Sequence, residues 1–268
     1  MDLKERTREI RRLTMQCIAS IGVGHVGGCM SIAEALSVLY SKHMRVDPSD
    51  PKKEGRDRFV LSKGHAGPAL YATLASFGYF DKEMLNTLNR LGTKLPSHCN
   101  CQLTPGVDMT AGSLGQGISC AVGLALGSKL AKDDARVYVI VGDGEQQEGQ
   151  VWEAAMFASA KNLDNLTVLV DNNKMQIDGL TKDVCNVESI ADKWSAFGFD
   201  VQQVNGHDED AIDAALTKAK TVVGKPTCIV LDTIKGHGVS IFEAMGPDCH
   251  SCNVSAEQLE IALKELEG

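Results

Sequence analysis

The sequence predicts an α/β protein built as a three-layer, doubly wound and mostly parallel sheet. Three observations predict it. Short, continuous apolar runs rich in β-branched residues recur, such as 136–141 (RVYVIV) and 166–170 (LTVLV). Runs of this kind are expected of parallel strands buried on both faces. A segment of helical composition and length, 148–161 (EGQVWEAAMFASAK), separates those two runs. Alternation of strands and helices implies helices on both faces of a parallel sheet. Finally, each apolar run ends in a polar motif. Gly142-Asp143-Gly144 follows the first, and Val170-Asp171-Asn172-Asn173-Lys174 closes the second, with Asn173 thirty positions after Asp143. A carboxylate and a carboxamide therefore stand at the carboxyl ends of two strands, the edge where open α/β sheets bind ligands. Oxygen donors suit a hard divalent cation, and Mg²⁺ typically keeps phosphate oxygens in its remaining positions. The chemistry implied is a metal-held diphosphate.

The other elements follow in order. Residues 4–20 read as an amphipathic helix, followed by a glycine-rich loop over 22–28. Ser31 is placed as an N-cap with Glu34 as its capping-box partner. The helix it opens has Ile32, Ala35, Leu36, Leu39 and Tyr40 as its apolar face. A short strand is expected at 58–61, then Ser62-Lys63-Gly64-His65, then a helix over 67–77. Residues 91–112 are loop-like, and a helix runs from about Leu114 to Lys132. Beyond Asn173 come a long loop, a helix near 188–197, a strand over 199–204, a helix over 208–220, a strand over 227–233 and a last helix over 255–266. No repeat or Pro/Ser linker interrupts the 268 residues, so one domain over 1–268 is expected.

Composition narrows the function. The 43% hydrophobic and 23% charged content is that of a globular protein. A net charge of −8 argues against nucleic acid or an anionic membrane as partner. No apolar stretch is long enough to span a bilayer. The charged start, MDLKERTREIRR, lacks a signal-peptide core, so a cytoplasmic location is expected. Nine cysteines are present, and Cys17, Cys120 and Cys228 sit singly in apolar surroundings, as reduced core residues do.

Two glycine motifs carry different weight. Gly22-Val23-Gly24-His25-Val26-Gly27 has GxGxxG spacing, but a dinucleotide site needs a strand before it, and the preceding segment looks helical. It is read as a glycine turn that leaves His25 available for function. Thr110-Ala111-Gly112-Ser113-Leu114-Gly115-Gln116-Gly117 opens a helix with small residues. Such a helix start lets a ligand approach free N–H groups, although close helix–sheet packing would use the same residues.

Together these stretches resemble the transketolase family. GDGEQQEG (142–149) with DNNKMQIDG (171–179) is similar to the thiamine diphosphate signature, and GVGHVGG (22–28), LSKGHA (61–66), TPGVDMTAGSLGQGIS (104–119) and TIKGHGVS (233–240) narrow it. The resemblance covers the N-terminal, diphosphate-binding domain of the family; the pyrimidine-binding and third domains have no counterpart. It therefore implies the N-terminal subunit of a split transketolase. The implied cofactors are thiamine diphosphate and Mg²⁺ (or Ca²⁺ or Mn²⁺). Asp143, Asn173 and the carbonyl of Met175 would ligate the metal. His65, Gly112, Ser113, Leu114, Gly144, Asn173, Lys235 and His250 would line the cofactor. His25, His65, His98 and His250 would exchange protons with sugar hydroxyls and carbonyl oxygen, work for groups titrating near neutrality. Glu148 matches a glutamate that couples active sites across the family's dimer, although a carboxylate there also suits a helix N-terminus.

The resemblance further implies a partner subunit carrying the pyrimidine-binding domain, and with it the carboxylate that activates the cofactor. Two copies of each chain are expected, an α2β2 assembly, because the family's active sites lie between subunits. The apolar helix 148–161, with Val151, Trp152, Ala155, Met156, Phe157 and Ala158, fits burial against the sheet and another subunit. The expected reaction moves a two-carbon ketol unit from a ketose phosphate to an aldose phosphate. Two alternatives stand beside it: a related thiamine diphosphate enzyme acting on a branched or sulfonated sugar, and a non-catalytic regulatory or scaffold subunit.

Three departures from the family stand out. Val26 replaces a common proline after His25, and two loops carry cysteines: His98-Cys99-Asn100-Cys101 and Cys249-His250-Ser251-Cys252. The resemblance places both cysteine loops over one mouth. Their four thiols are open to three interpretations: ordinary loop thiols, an oxidation-sensitive pair, or a zinc-type site with one imidazole.

Overall fold

The computed structural model describes residues 1–267. The chain opens with α1 (Leu3–Ala19), whose first turn is capped by the Asp2 carboxylate accepting from the Glu5 amide. There follow β1 (Val23–Gly24), α2 (Val26–Met30), α3 (Ala33–Val38), β2 (Arg58–Leu61), α4 (Gly67–Ser76), α5 (Gln116–Ala131), β3 (Val137–Gly142) and α6 (Gly149–Ala160). The second half holds β4 (Leu166–Asn172), the small hairpin β5 (Met175–Gln176) and β6 (Gly179–Leu180), and the single turn α7 (Thr181–Val184). It closes with α8 (Ile190–Ala196), β7 (Asp200–Asn205), α9 (Glu209–Ala219), β8 (Thr227–Asp232), α10 (Ser240–Met245), β9 (Cys252–Asn253) and α11 (Ala256–Glu265).

The central sheet is parallel throughout, with strand order β2-β3-β4-β8-β7. Alternation along the strands divides the core in two. Tyr138, Ile140, Leu169, Ile229 and Leu231 face one layer, packed with residues of α1 to α4, α9 and α10. Val137, Val139, Val141, Val168, Val170 and Val230 face the other, packed with α5, α6 and α8. Both faces are dry, which is why the strands read as unbroken apolar runs; each such side chain contributes about 1.5–3 kcal/mol by burial. Register sets Gly142 beside Asp171 and Asn172 beside Asp232, so the carboxyl ends of β3, β4 and β8 lie level. Among the described residues no helix is long and apolar enough to cross a membrane.

Two expectations are corrected. Ser31 does not cap α3: its hydroxyl donates to Asp171 Oδ2 at 2.7 Å, and Glu34 pairs with Arg11. Two buried charges needed partners more than a helix end did. The 22–28 segment is not simply a loop, because β1 pairs antiparallel with β9 and α2 begins at Val26. The element before it is α1, a helix, and not the strand that a dinucleotide site needs. Residues 240–250 form α10 and a short 3₁₀ turn that the sequence left unassigned. On α6, as expected, Val151, Ala155 and Ala158 are buried against the sheet, and Met156 and Phe157 are exposed in the single chain. Cys17 and Cys228 are buried as expected, and Cys120 is half-buried on α5.

Candidate active site

A cavity of about 390 Å³ opens at the carboxyl ends of β3 and β4. Its strand side is built on Asp171, which is fully buried and accepts from Ser31, Lys63, Asn173 and Thr233. Lys63 Nζ also donates to the Gly28 carbonyl at 2.9 Å. Asp143 stands beside this cluster, accepting from the amides of Gly144 and Lys174. Burial and the charge of Asp171 push the Asp143 carboxyl up to about 7. Asn173 Nδ2 is committed to Asp171 at 2.9 Å, and its Oδ1 accepts from the Met175 amide at 3.1 Å.

Glu145 braces the turn that carries Asp143. Its buried carboxylate accepts from Ser62 Oγ, from the Gly115 amide at 2.9 Å and from the Gly142 amide at 3.0 Å. It thereby ties the end of β2 and the start of α5 to the end of β3. Gly115 has φ +81°, a conformation glycine adopts freely, and this delays the start of α5 to Gln116.

The loop side brings the four predicted histidines together. Ring centroids lie 5.3 Å apart for His25–His65, 6.0 Å for His25–His98, 5.4 Å for His25–His250 and 5.0 Å for His65–His250. Burial lowers the pKa of His25, with His98 and the lysines adding to it, and of His65, where Lys63 is the next cause. Burial and Lys235 push His250 down to about 3. These three rings are neutral imidazoles at pH 7. Lys235 Nζ lies 3.0 Å from His250 Nδ1 and 3.4 Å from the Met175 carbonyl, and burial lowers its pKa too.

Gly112, Leu114, Gly144 and Glu148 also line the cavity, while Ser113 is exposed and lies off its lining. Glu148 is exposed at the N-cap of α6, and its side chain makes no cap hydrogen bond. Lys63 and Gln176 face the same space and were missed from sequence. For Lys63 the available signal was a charged residue two positions after a buried strand.

The cysteines do not join this cluster. Cys99 packs inward near Gly67 and Tyr71, and Cys249 is buried against Gly27, its thiol donating to the Gly246 carbonyl. Cys101 is exposed beside Thr110, and Cys252 is half-buried in β9. All nine thiols are free, and among the described residues the one cluster of three or more His, Cys, Asp or Glu side chains close enough to share a metal is Glu34, His207 and His237, which includes no thiol. In this arrangement the four loop thiols are neither paired in a disulfide nor gathered with an imidazole as a metal site. The physical reason is local: neighbouring side chains diverge, so loops that aim His98 and His250 at the cavity send Cys99 and Cys249 into the core.

The chemistry of these groups fits a metal and a diphosphate. Asp143, Asn173 and Met175 offer hard oxygen donors. A buried carboxylate raised to about 7 gains from a nearby cation. Gln176 Oε1 is buried with no hydrogen-bond partner among the described residues. At Gly28 a Cβ would stand 3.1 Å from Lys63 Nζ and 3.2 Å from His65 Nε2, so glycine keeps that wall open.

A parallel sheet with its cavity at the strand ends defines an α/β protein that binds ligands beyond the carboxyl edge. Over residues 3–267 the chain matches the model of the transketolase thiamine diphosphate-binding domain, and it belongs to that family. It is 51% identical over its whole length to the 6-deoxy-6-sulfo-D-fructose transketolase subunit of Clostridium sp. (strain MSTE9), covering 97% of that protein. It is 39% identical to an apulose-4-phosphate transketolase subunit of Phocaeicola vulgatus, with 98% and 93% of the two chains covered. Among solved structures, a Pichia stipitis transketolase superposes with a TM-score of 0.93 at 33% identity. The alignment covers all of this chain and 41% of that one, so the chain spans about two-fifths of a solved transketolase.

Proposed function

We propose that the chain is the diphosphate-binding subunit of a two-subunit, thiamine diphosphate-dependent transketolase. The observation that carries this reading is the convergence of Asp143, Asn173, four imidazoles and two lysines on one cavity at the strand ends. Asp143, Asn173 and the Met175 carbonyl would hold Mg²⁺, and Lys235 would face the diphosphate. Bound thiamine diphosphate supplies the electron sink for cleaving the bond beside a ketose carbonyl. The neutral rings of His25, His65 and His250, with His98, can each take or return a proton at a sugar hydroxyl or carbonyl oxygen. Lys63 carries its charge into the pair with Asp171, which leaves Lys235 as the cation turned to an anionic ligand.

The partner requirement draws on the naming of the relatives as subunits and on the share of solved transketolases that the chain spans. Met156 and Phe157, exposed on α6 just beyond Glu148, support self-association into an α2β2 assembly. A sulfonated ketose is the favoured donor, because identity to the sulfofructose relative is 51% and to the apulose-4-phosphate relative 39%. The test is to mix the chain with the product of a neighbouring gene and assay ketol transfer from 6-deoxy-6-sulfofructose and from fructose 6-phosphate. Activity only in the mixture, dependent on metal and cofactor, supports the proposal. Full activity of the chain alone contradicts the two-subunit reading, and none from any mixture points to a scaffold. A preference for fructose 6-phosphate returns the donor to the sugar phosphates.

A further inference from the structure

A second buried polar cluster lies behind the loop after β8, away from the cavity. Arg11 Nη2 donates to both Glu34 oxygens at 2.7 Å and to the Met30 carbonyl at 3.1 Å. His207 Nδ1 faces Glu34 Oε2 at 3.3 Å, and its ring stacks on His237 with centroids 3.6 Å apart. Two imidazoles and a carboxylate this close suggest a metal site. The protons speak against one. The Ile234 amide donates to His207 Nε2 at 2.8 Å. A ring nitrogen that accepts is unprotonated, so the neutral ring carries its proton on Nδ1. The nitrogen facing Glu34 then has no lone pair for a cation, and Arg11 already occupies both carboxylate oxygens.

We propose instead that Arg11, Glu34 and His207 are positioning residues that brace the loop carrying Lys235. This rests on the role given to Lys235 above. Ile234, the residue His207 holds, directly precedes Lys235. On the other side of Lys235, the Gly236 amide donates to the Gly27 carbonyl at 3.1 Å. Gly238, at φ +91°, lies flush on Arg11: a Cβ there would stand 3.0 Å from Arg11 Cδ. The Gly238 amide is held by Glu243 Oε1 at 2.8 Å. Within the cavity Lys235 Nζ meets an imidazole nitrogen and a carbonyl, and among the described residues no carboxylate lies within ion-pair reach of it. A flexible four-carbon stem with no anionic anchor takes its position from its backbone, and that backbone is fixed from behind.

The test measures thiamine diphosphate binding, with Mg²⁺, to the full chain by calorimetry. His207→Gln keeps an acceptor where Nε2 lies. His207→Asn reaches only the Nδ1 position and leaves the Ile234 amide unpaired. The expected result is affinity within about twofold of the parent chain for His207→Gln and about tenfold weaker for His207→Asn, the loss of one hydrogen bond. In a Lys235→Ala background His207→Asn should cost nothing more, because a brace acts through the residue it positions. Equal affinities for the Gln and Asn variants, or additive losses in the double variant, would overturn the brace. Lys235→Ala binding as tightly as the parent chain would instead remove the role given to Lys235, and the brace with it.

Discussion

The two sides of the cavity are built differently. On the strand side, Lys63, Asp143, Asp171 and Asn173 are buried and share hydrogen bonds, and Asp171 alone accepts from four donors. On the loop side, His25 and His250 are only partly buried, His98 is exposed, and Lys235 reaches His250 from a braced loop. The strand side cancels one positive and one negative charge and leaves Asp143 and neutral oxygen donors for a cation. The loop side leaves an ammonium and neutral imidazoles for anionic and hydroxyl groups. Rigidity therefore sits where a metal needs fixed ligands, and titratable rings sit where protons must move.

Breaking each side should have unequal effects. Lys63→Met strands the Asp171 charge in a buried site and should cost about 3–5 kcal/mol of stability in urea denaturation. A cost below about 1 kcal/mol would mean the strand side does not depend on the pair. Lys235→Ala should spare the fold and weaken thiamine diphosphate binding about thirtyfold, the loss of a charged hydrogen bond of about 2 kcal/mol. A larger loss of stability than of affinity would reverse the contrast.

The rings give a pH signature. His250 falls from 6.5 to about 3 on folding. Between those values the native protein binds fewer protons than the unfolded chain, so stability drops as pH falls through that window. His25 and His65, also lowered, add in the same direction. His250→Gln should therefore lose less melting temperature between pH 7 and pH 5 than the parent chain, and an unchanged difference would show that the ring is not buried in its neutral form. The smallest effect is expected at Cys101→Ser, an exposed site: stability within about 0.5 kcal/mol and unaltered binding.

Much of this was legible in the sequence because it is local. Continuous apolar runs marked β3 and β4, and Asp143 and Asn173 stood directly after them. His25 and His65 were visible in glycine motifs and His98 and His250 in cysteine-bearing loops, and the structure brings all four together. What stayed hidden depends on direction and distance. No pattern distinguishes a serine that caps a helix from Ser31, which reaches Asp171 across 140 positions. Adjacent cysteines and histidines look like one metal site in sequence, yet their side chains diverge. His207 and Glu34, 173 positions apart, meet through tertiary packing alone.

The metal-held diphosphate is tested most directly by titrating thiamine diphosphate into the chain with and without Mg²⁺, for the parent and Asp143→Asn. Between its ordinary value of 3.8 and about 7, Asp143 holds a proton in the native state that the unfolded chain has lost, so its ionisation opposes folding as pH rises. The Asn variant should thus keep or gain melting temperature at neutral pH. Binding by the parent only with Mg²⁺, and no binding by this well-folded variant, is the predicted result. Metal-independent binding, or equal affinity in the variant, would contradict the account.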